Sequence, residues 1–268
     1  MLFHALGRNF LNFCELFDIG IDQSGFWIYY IRRENTERNI NMFYWDWTFI
    51  ILIPGLIISA IAQYKVSSTY SKYASMPAMC GVTGGEVARR ILQQNGVSGV
   101  SVVQTGGTMS DHYDPRKGEI RLSGGVYGSA SVASIAIAAH EAGHAVQHAE
   151  GYAPLKVRNA ILPVANIASS IAFPIFLLGL LFNKNYPILC DIGIFLFGAA
   201  VLFQLITLPV EFNASRRAMI AIQGEGILSN HEAVGAKKML FAAAMTYVAA
   251  MLVSLLQLLR LFALRSRR

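Results

Sequence analysis

Ser131-Val-Ala-Ser-Ile-Ala-Ile-Ala-Ala-His140-Glu141-Ala-Gly-His144-Ala-Val-Gln-His148 lies near the middle of the 268-residue chain and decides how the rest is read. A helix turns about 100° per residue, so His140 and His144 fall on one face, one turn apart. That spacing lets two imidazole nitrogens meet one Zn²⁺, with Glu141 beside the metal to act on a water. The two turns before the motif are filled by Ala and Ile, and alanine is the strongest helix former. The stretch therefore predicts a zinc-motif helix with two ligands, His140 and His144, and a catalytic glutamate, Glu141.

Working outward, the composition sets the surroundings. Hydrophobic residues make up 54% of the chain and charged ones 14%, against about 25% charged in an ordinary globular protein; mean hydropathy is +0.44. The net charge is +6. Its basic residues are scattered, with small clusters at Arg32-Arg33, Arg89-Arg90, Arg216-Arg217, Lys237-Lys238 and Arg265 to Arg268. Several flank apolar runs, which is the membrane-protein pattern, so a lipid bilayer is expected as partner and nucleic acid is not. Cys14, Cys80 and Cys190 show no metal or redox spacing and read as free thiols.

Residues 1–41 read as a variable N-terminal extension, with Met42 an alternative start. Residues 42–64 hold a first span, Trp45 to Ala62, with Trp45 and Trp47 at one interface, Tyr64-Lys65 at the other, and a kink expected at Pro54. Residues 65–160 form the catalytic region. Thr83-Gly-Gly-Glu86 is a capping box for a helix that ends at Asn95-Gly96. Val97 to Val103 and Gly118 to Ser123 read as strands, with turns at Thr105–Thr108 and Asp111–Pro115 between them. An edge strand of such a sheet can align an extended peptide by backbone pairing. His112 is a candidate to polarise a substrate carbonyl, or is a turn histidine bonded to its neighbours.

Residues 161–210 read as a membrane hairpin of Ile161–Phe182 and Pro187–Val210 around the polar turn Asn183–Tyr186. Both ends of a hairpin emerge on one side, so Glu211 is delivered to the face carrying His140 and His144. Residues 211–238 form a third-ligand helix and loop. Residues 239–268 give a fourth apolar helix, Met239–Leu259, and a basic tail. His231-Glu232-Ala-Val-Gly235 begins like the zinc motif but has glycine where the second histidine belongs, and carries no metal.

A catalytic zinc takes three protein ligands and keeps one position open. Glu211 is the leading third ligand. His148, one turn past His144, diverges along the helix and reads as a supporting or packed residue. Asp191 lies near the far end of its span, about 30 Å from Glu211 at 1.5 Å per residue, and could serve only if the zinc helix were itself within the bilayer. Ser215, four residues after Glu211, is placed to hydrogen-bond a ligand histidine.

Several stretches together resemble the YugP-type neutral zinc metallopeptidases of bacterial membranes: Ala62-Gln-Tyr-Lys-Val, Ser110-Asp-His-Tyr-Asp-Pro115 with Leu122-Ser, His140 through Ala149, Gly151-Tyr-Ala-Pro154 and Leu208-Pro-Val-Glu-Phe212. The resemblance covers roughly residues 42–260. More distantly the layout resembles HtpX-type zinc peptidases, in which a glutamate after a membrane hairpin completes the site. Their pattern has Asp at the position of Ser215, and the YugP-type pattern has Asp at that of Asn213; neither departure touches the ligands.

The expectation is a mostly α polytopic membrane protein, with about four transmembrane helices and a small α+β zincin-like catalytic region. The expected activity is that of a membrane-anchored zinc endopeptidase acting on a peptide or protein substrate. Two other readings stand beside it: an intramembrane protease of the site-2 type, and a non-enzymatic scaffold retaining the motif. A multi-pass place in the cell membrane follows; the lysines and arginines flanking the spans on the catalytic side favour a cytoplasmic catalytic face, while the arginine-rich C-terminus argues the other way if the fourth run crosses fully.

Overall fold

The computed structural model describes residues 47–182 and 188–266. The expectations for residues 1–41, including the Met42 start, and for the Asn183–Tyr186 turn lie outside the described residues. A 3₁₀ turn, Trp47–Leu52, leads into α1 (Ile53–Ala74). Pro54 stands in the first turn of α1, where its missing N–H has no helical partner to lose; it starts the α-helix and does not kink it. Thr83 caps α2 (Gly84–Gln94) through the expected capping box with Glu86.

The sheet departs from its sequence reading at two points. β1 is Ser101–Thr105, displaced toward the C-terminus from the expected 97–103, because Gly99 at φ +80° turns the chain before pairing begins. Ser101 N–H then bonds the Gly118 carbonyl. β2, His112–Asp114, falls where a turn is expected; it pairs antiparallel with β3 (Glu119–Ser123), which runs parallel to β1. The order is β1-β3-β2, which leaves β2 on an edge. The turn shifts to residues 114–118, where Asp114 accepts from Arg116 N–H and Lys117 N–H and Gly118 adopts φ +64°.

A short helix α3 (Gly124–Tyr127) precedes the motif helix α4 (Val132–Ala149). Ser131 caps α4 through a reciprocal pair with Ser134. Sixteen consecutive residues of α4, Val132 to Gln147, are buried, so it is a central helix and not an amphipathic surface one. The main core surrounds it: Val87, Ile91 and Leu92 of α2, Ile120 and Leu122 of β3, and Met239, Leu240 and Ala243 of the last helix.

Three long helices complete the chain, α5 (Ala153–Leu181), α6 (Ile188–Gly224) and α7 (Asn230–Ser266). They run without a break through the composition boundaries at 160/161, 210/211 and 238/239. Glu211 therefore sits within a continuous helix and does not open a new one. With the first helix they make four segments long and apolar enough to cross a membrane. Phe195 at 77% and Val164 at 66% exposure show the apolar outer surface that lipid would cover.

Polar and small residues set the helix registers. Arg260 Nε donates to Thr48 Oγ1 at 3.1 Å, and Gly235 lies against the Tyr73 ring, so α7 runs antiparallel to α1. Gln204 Nε2 donates to Ser254 Oγ at 2.9 Å and Arg265 Nε to Asp191 at 3.0 Å, so α6 and α7 are antiparallel too. Gly193 packs on Phe176 and Gly179 on Cys190, closing the α5–α6 hairpin. The fold is the expected one: a mostly α polytopic protein with a small α+β region.

Candidate metal centre

The motif helix and α6 approach closely because Gly143 has no side chain. A Cβ there would stand 2.8 Å from the Ala214 carbonyl oxygen. This contact carries Glu211 to the two histidines. His140 Nε2 and His144 Nε2 lie 3.4 Å and 3.6 Å from Glu211 Oε2. The two rings are perpendicular, with centroids 4.7 Å apart. Ligand atoms of all three residues lie within 4.8 Å of one another, and all three residues are buried.

The donor set suits Zn²⁺: two imidazole nitrogens and one carboxylate oxygen converge on one point. His140 Nε2 and Glu211 Oε2 are buried with no hydrogen-bond partner. A buried polar atom left unpaired costs about 1–3 kcal/mol, and a cation between these atoms removes that cost. The other ring nitrogens face outward onto partners. His144 Nδ1 lies 3.0 Å from Gln147 Oε1, which can only accept, so Nδ1 carries the proton and Nε2 keeps its lone pair for a metal. His140 Nδ1 lies 3.1 Å from Ser215 Oγ.

Gln147, fully buried, was not singled out from the sequence. Its Nε2 donates to the Val210 carbonyl at 2.9 Å and to Asn213 Oδ1 at 2.8 Å. One side chain thus joins a histidine of the motif helix to the backbone just before Glu211. Asn213 Oδ1 accepts a second bond from Arg217 Nε, and Arg217 pairs with Glu150 at 2.7 Å. The sequence carries a faint signal: Gln147 is three residues past His144, on the same helical face. Gln147→Ala is expected to lower zinc affinity roughly 10- to 100-fold, read by competition with a chromogenic chelator; an unchanged affinity would make Gln147 packing only.

Glu141, 1% exposed, is fixed by the sheet, since Tyr113 N–H of β2 donates to its Oε2 at 3.0 Å. Tyr113 Oη and His148 Nδ1 lie 2.8 Å apart, so His148 braces the edge strand and stands outside the ligand group. His112 Nδ1 meets the Ser110 carbonyl at 2.8 Å. Asp111, beside it, accepts from the backbone and hydroxyl of Ser123. Burial pushes its carboxyl above the usual range against those hydrogen bonds, and the Glu141 charge adds to the rise. Tyr247 of α7 lies within electrostatic reach of Glu211; set in an apolar run, it gave no sequence signal.

The remaining candidates separate cleanly. Asp191 pairs with Arg265 at the opposite end of α6 and does not join the site. The intramembrane alternative that needs Asp191 as ligand loses that ligand. Glu232 caps α7, accepting from Ser229 and from Met79 N–H, which accounts for the incomplete His231-Glu232 motif.

The profile of the family described as "Putative neutral zinc metallopeptidase" matches residues 48–266. The chain is 52% identical over 213 residues, 79% of its length and 94% of the relative's, to "Putative membrane protease YugP" of Bacillus subtilis (strain 168). No solved structure matches it. With a family profile covering every helix of the fold and a buried His–His–Glu group suited to its metal, the chain belongs to this zinc metallopeptidase family.

Proposed function

We propose that the protein is a membrane-anchored zinc endopeptidase, with Zn²⁺ held by His140, His144 and Glu211. The observation that carries the reading is the convergence of these three buried ligand atoms beside Glu141. The group is too specific a grouping for packing alone, and its unpaired atoms count against a scaffold that merely retains the motif.

A zinc ion bound there supplies Lewis acidity and lowers the pKa of a water it holds. The chain's own residues do the rest. Glu141 is the general base: it takes a proton from the attacking water and returns it to the leaving amine nitrogen. Tyr113 N–H holds one Glu141 oxygen, leaving the other for the water. Ser215 and Gln147 orient the two imidazoles, and Asn213 anchors Gln147. His148 steadies Tyr113, and with it the edge strand along which a peptide would lie. His112, at the head of that strand, is tied through Nδ1 to the Ser110 carbonyl, which leaves Nε2 as its one atom for a substrate carbonyl.

Purified protein should contain one zinc per chain and cut casein. Chelator should abolish both, and zinc should restore them. Stoichiometric zinc without any cleavage would reverse the assignment toward a structural metal.

The site belongs on the cytoplasmic face of the cell membrane in this reading, because Lys65, Lys72, Lys156, Arg216, Lys237 and Lys238 gather on its side. Cys80 is exposed on that side. A membrane-impermeant maleimide applied to intact cells should fail to label Cys80, taking Cys80→Ser as the blank, and should label it after lysis. Labelling of intact cells would invert the topology.

A further inference from the structure

Three helix registers set the depth of the metal centre. Along α1 and α7, Thr48 meets Arg260, Gly55 meets Val253 and Tyr73 meets Gly235, which brings Ile61 level with Tyr247. Along α6 and α7, Asp191 meets Arg265 and Gln204 meets Ser254, which brings Glu211 level with Tyr247. Along α5 and α6, Gly179 meets Cys190 and Phe176 meets Gly193, which brings Arg158 level with Glu211. Ile61, Arg158, Glu211 and Tyr247 thus form one layer across the helices.

The apolar runs stop at that layer. The run in α1 ends at Ala62, the run in α5 starts at Ile161, and the run in α6 ends at Val210. α7 is apolar from Met239, above the layer, but Met239, Leu240, Ala242 and Ala243 are buried in the core around α4, with Phe241 exposed between them. Just above the layer Tyr64, Lys65, Lys156 and Arg216 are exposed, a basic collar suited to headgroups. Twenty residues away along α6, about 30 Å, the exposed Asp191–Arg265 ion pair marks the other surface. That separation equals the hydrocarbon thickness of a bilayer, about 30 Å. The ligands therefore sit at the plane where hydrocarbon gives way to headgroups.

Resting on the peptidase reading, we infer that the substrates are membrane-inserted chains, cut in the extended segment beside the point where they leave the bilayer. A span in the same bilayer holds that segment at the depth of Glu141 and confines it to two dimensions, raising its effective concentration. A loop of a folded soluble protein reaches the same depth only by displacing headgroups.

The test uses the full-length, zinc-loaded protein in liposomes with a single-span protein followed by a long unstructured casein segment, and the same segment as free peptide. Cut positions are mapped by mass spectrometry, with Glu141→Gln as the inactive control. Cuts are expected within about ten residues of the span, some 33 Å of extended chain. They should move with the span when a Gly-Ser spacer is inserted after it, and the free segment should be cut at least roughly tenfold more slowly. Cuts spread along the tethered segment as along the free one, at similar rates, would overturn the inference while leaving the peptidase intact. Failure to cut either form would remove the peptidase reading and this inference with it.

Discussion

Glu141→Gln is expected to lower casein hydrolysis by roughly 10²- to 10⁴-fold, the usual worth of a general base, while zinc content stays at one per chain. The variant is conservative in structure. Glutamine keeps an oxygen to accept the Tyr113 N–H bond that fixes residue 141 against β2, so the sheet, the motif helix and the two histidines should keep their places. What it loses is the ability to take a proton from water at neutral pH. The loss should therefore fall on kcat. Loss of zinc together with activity would mean that Glu141 is a ligand or that the fold had failed, and either result would remove it from the role of base.

The second large effect is on the metal. Glu211→Gln is nearly the same size as the native side chain but cannot carry charge, and Glu211→Ala removes the ligand altogether. Both are expected to lose zinc on dialysis that leaves the wild type fully loaded, the alanine variant most completely. A bound ligand present at 100 times its dissociation constant stabilises a fold by about 2.7 kcal/mol. The thermal shift that zinc gives the wild type should therefore vanish in both variants, while their chelator-treated forms melt close to the chelator-treated wild type. Full zinc occupancy in Glu211→Ala would hand the third position to another residue. His148, already bonded to Tyr113, would then have to turn to reach it.

Much of this site could be read from local sequence because its chemistry repeats with the helix. His140, Glu141 and His144 announce themselves by spacing. Glu211 follows from topology, since a hairpin of two apolar runs has only one way to return the chain. Ser215 could be placed for the same reason, at one helical turn from Glu211, and its hydroxyl lies 3.1 Å from His140.

What escaped the sequence depends on partners far away in the chain. β2 is three residues long, too short for an alternating pattern, and exists only because β3 and Glu141 receive its backbone. Gln147 looks like an ordinary helix residue until Val210 and Asn213 arrive beside it. Tyr247 lies in a run that hydropathy assigns wholly to lipid. That same run misplaces the membrane: Met239, Leu240, Ala242 and Ala243 in its first turns belong to the core around α4 while Phe241 between them is exposed, and apolar composition does not say whether a side chain meets lipid or protein. The long helices passed through the expected boundaries for a related reason. Pro163 and Pro209 stand close to two of those boundaries and do not end their helices, because packing against neighbouring helices holds a helix that local propensity would interrupt.

In the proposed site one zinc joins the motif helix to α6 through His140, His144 and Glu211. An anomalous difference map at the zinc absorption edge, from crystals of the full chain, tests it most directly. A single strong peak is expected within about 2.0–2.2 Å of the Nε2 atoms of both histidines and of a Glu211 oxygen, with Glu141 unbonded to it. A peak bound by the histidines but away from Glu211, or no peak in catalytically active protein, would contradict it.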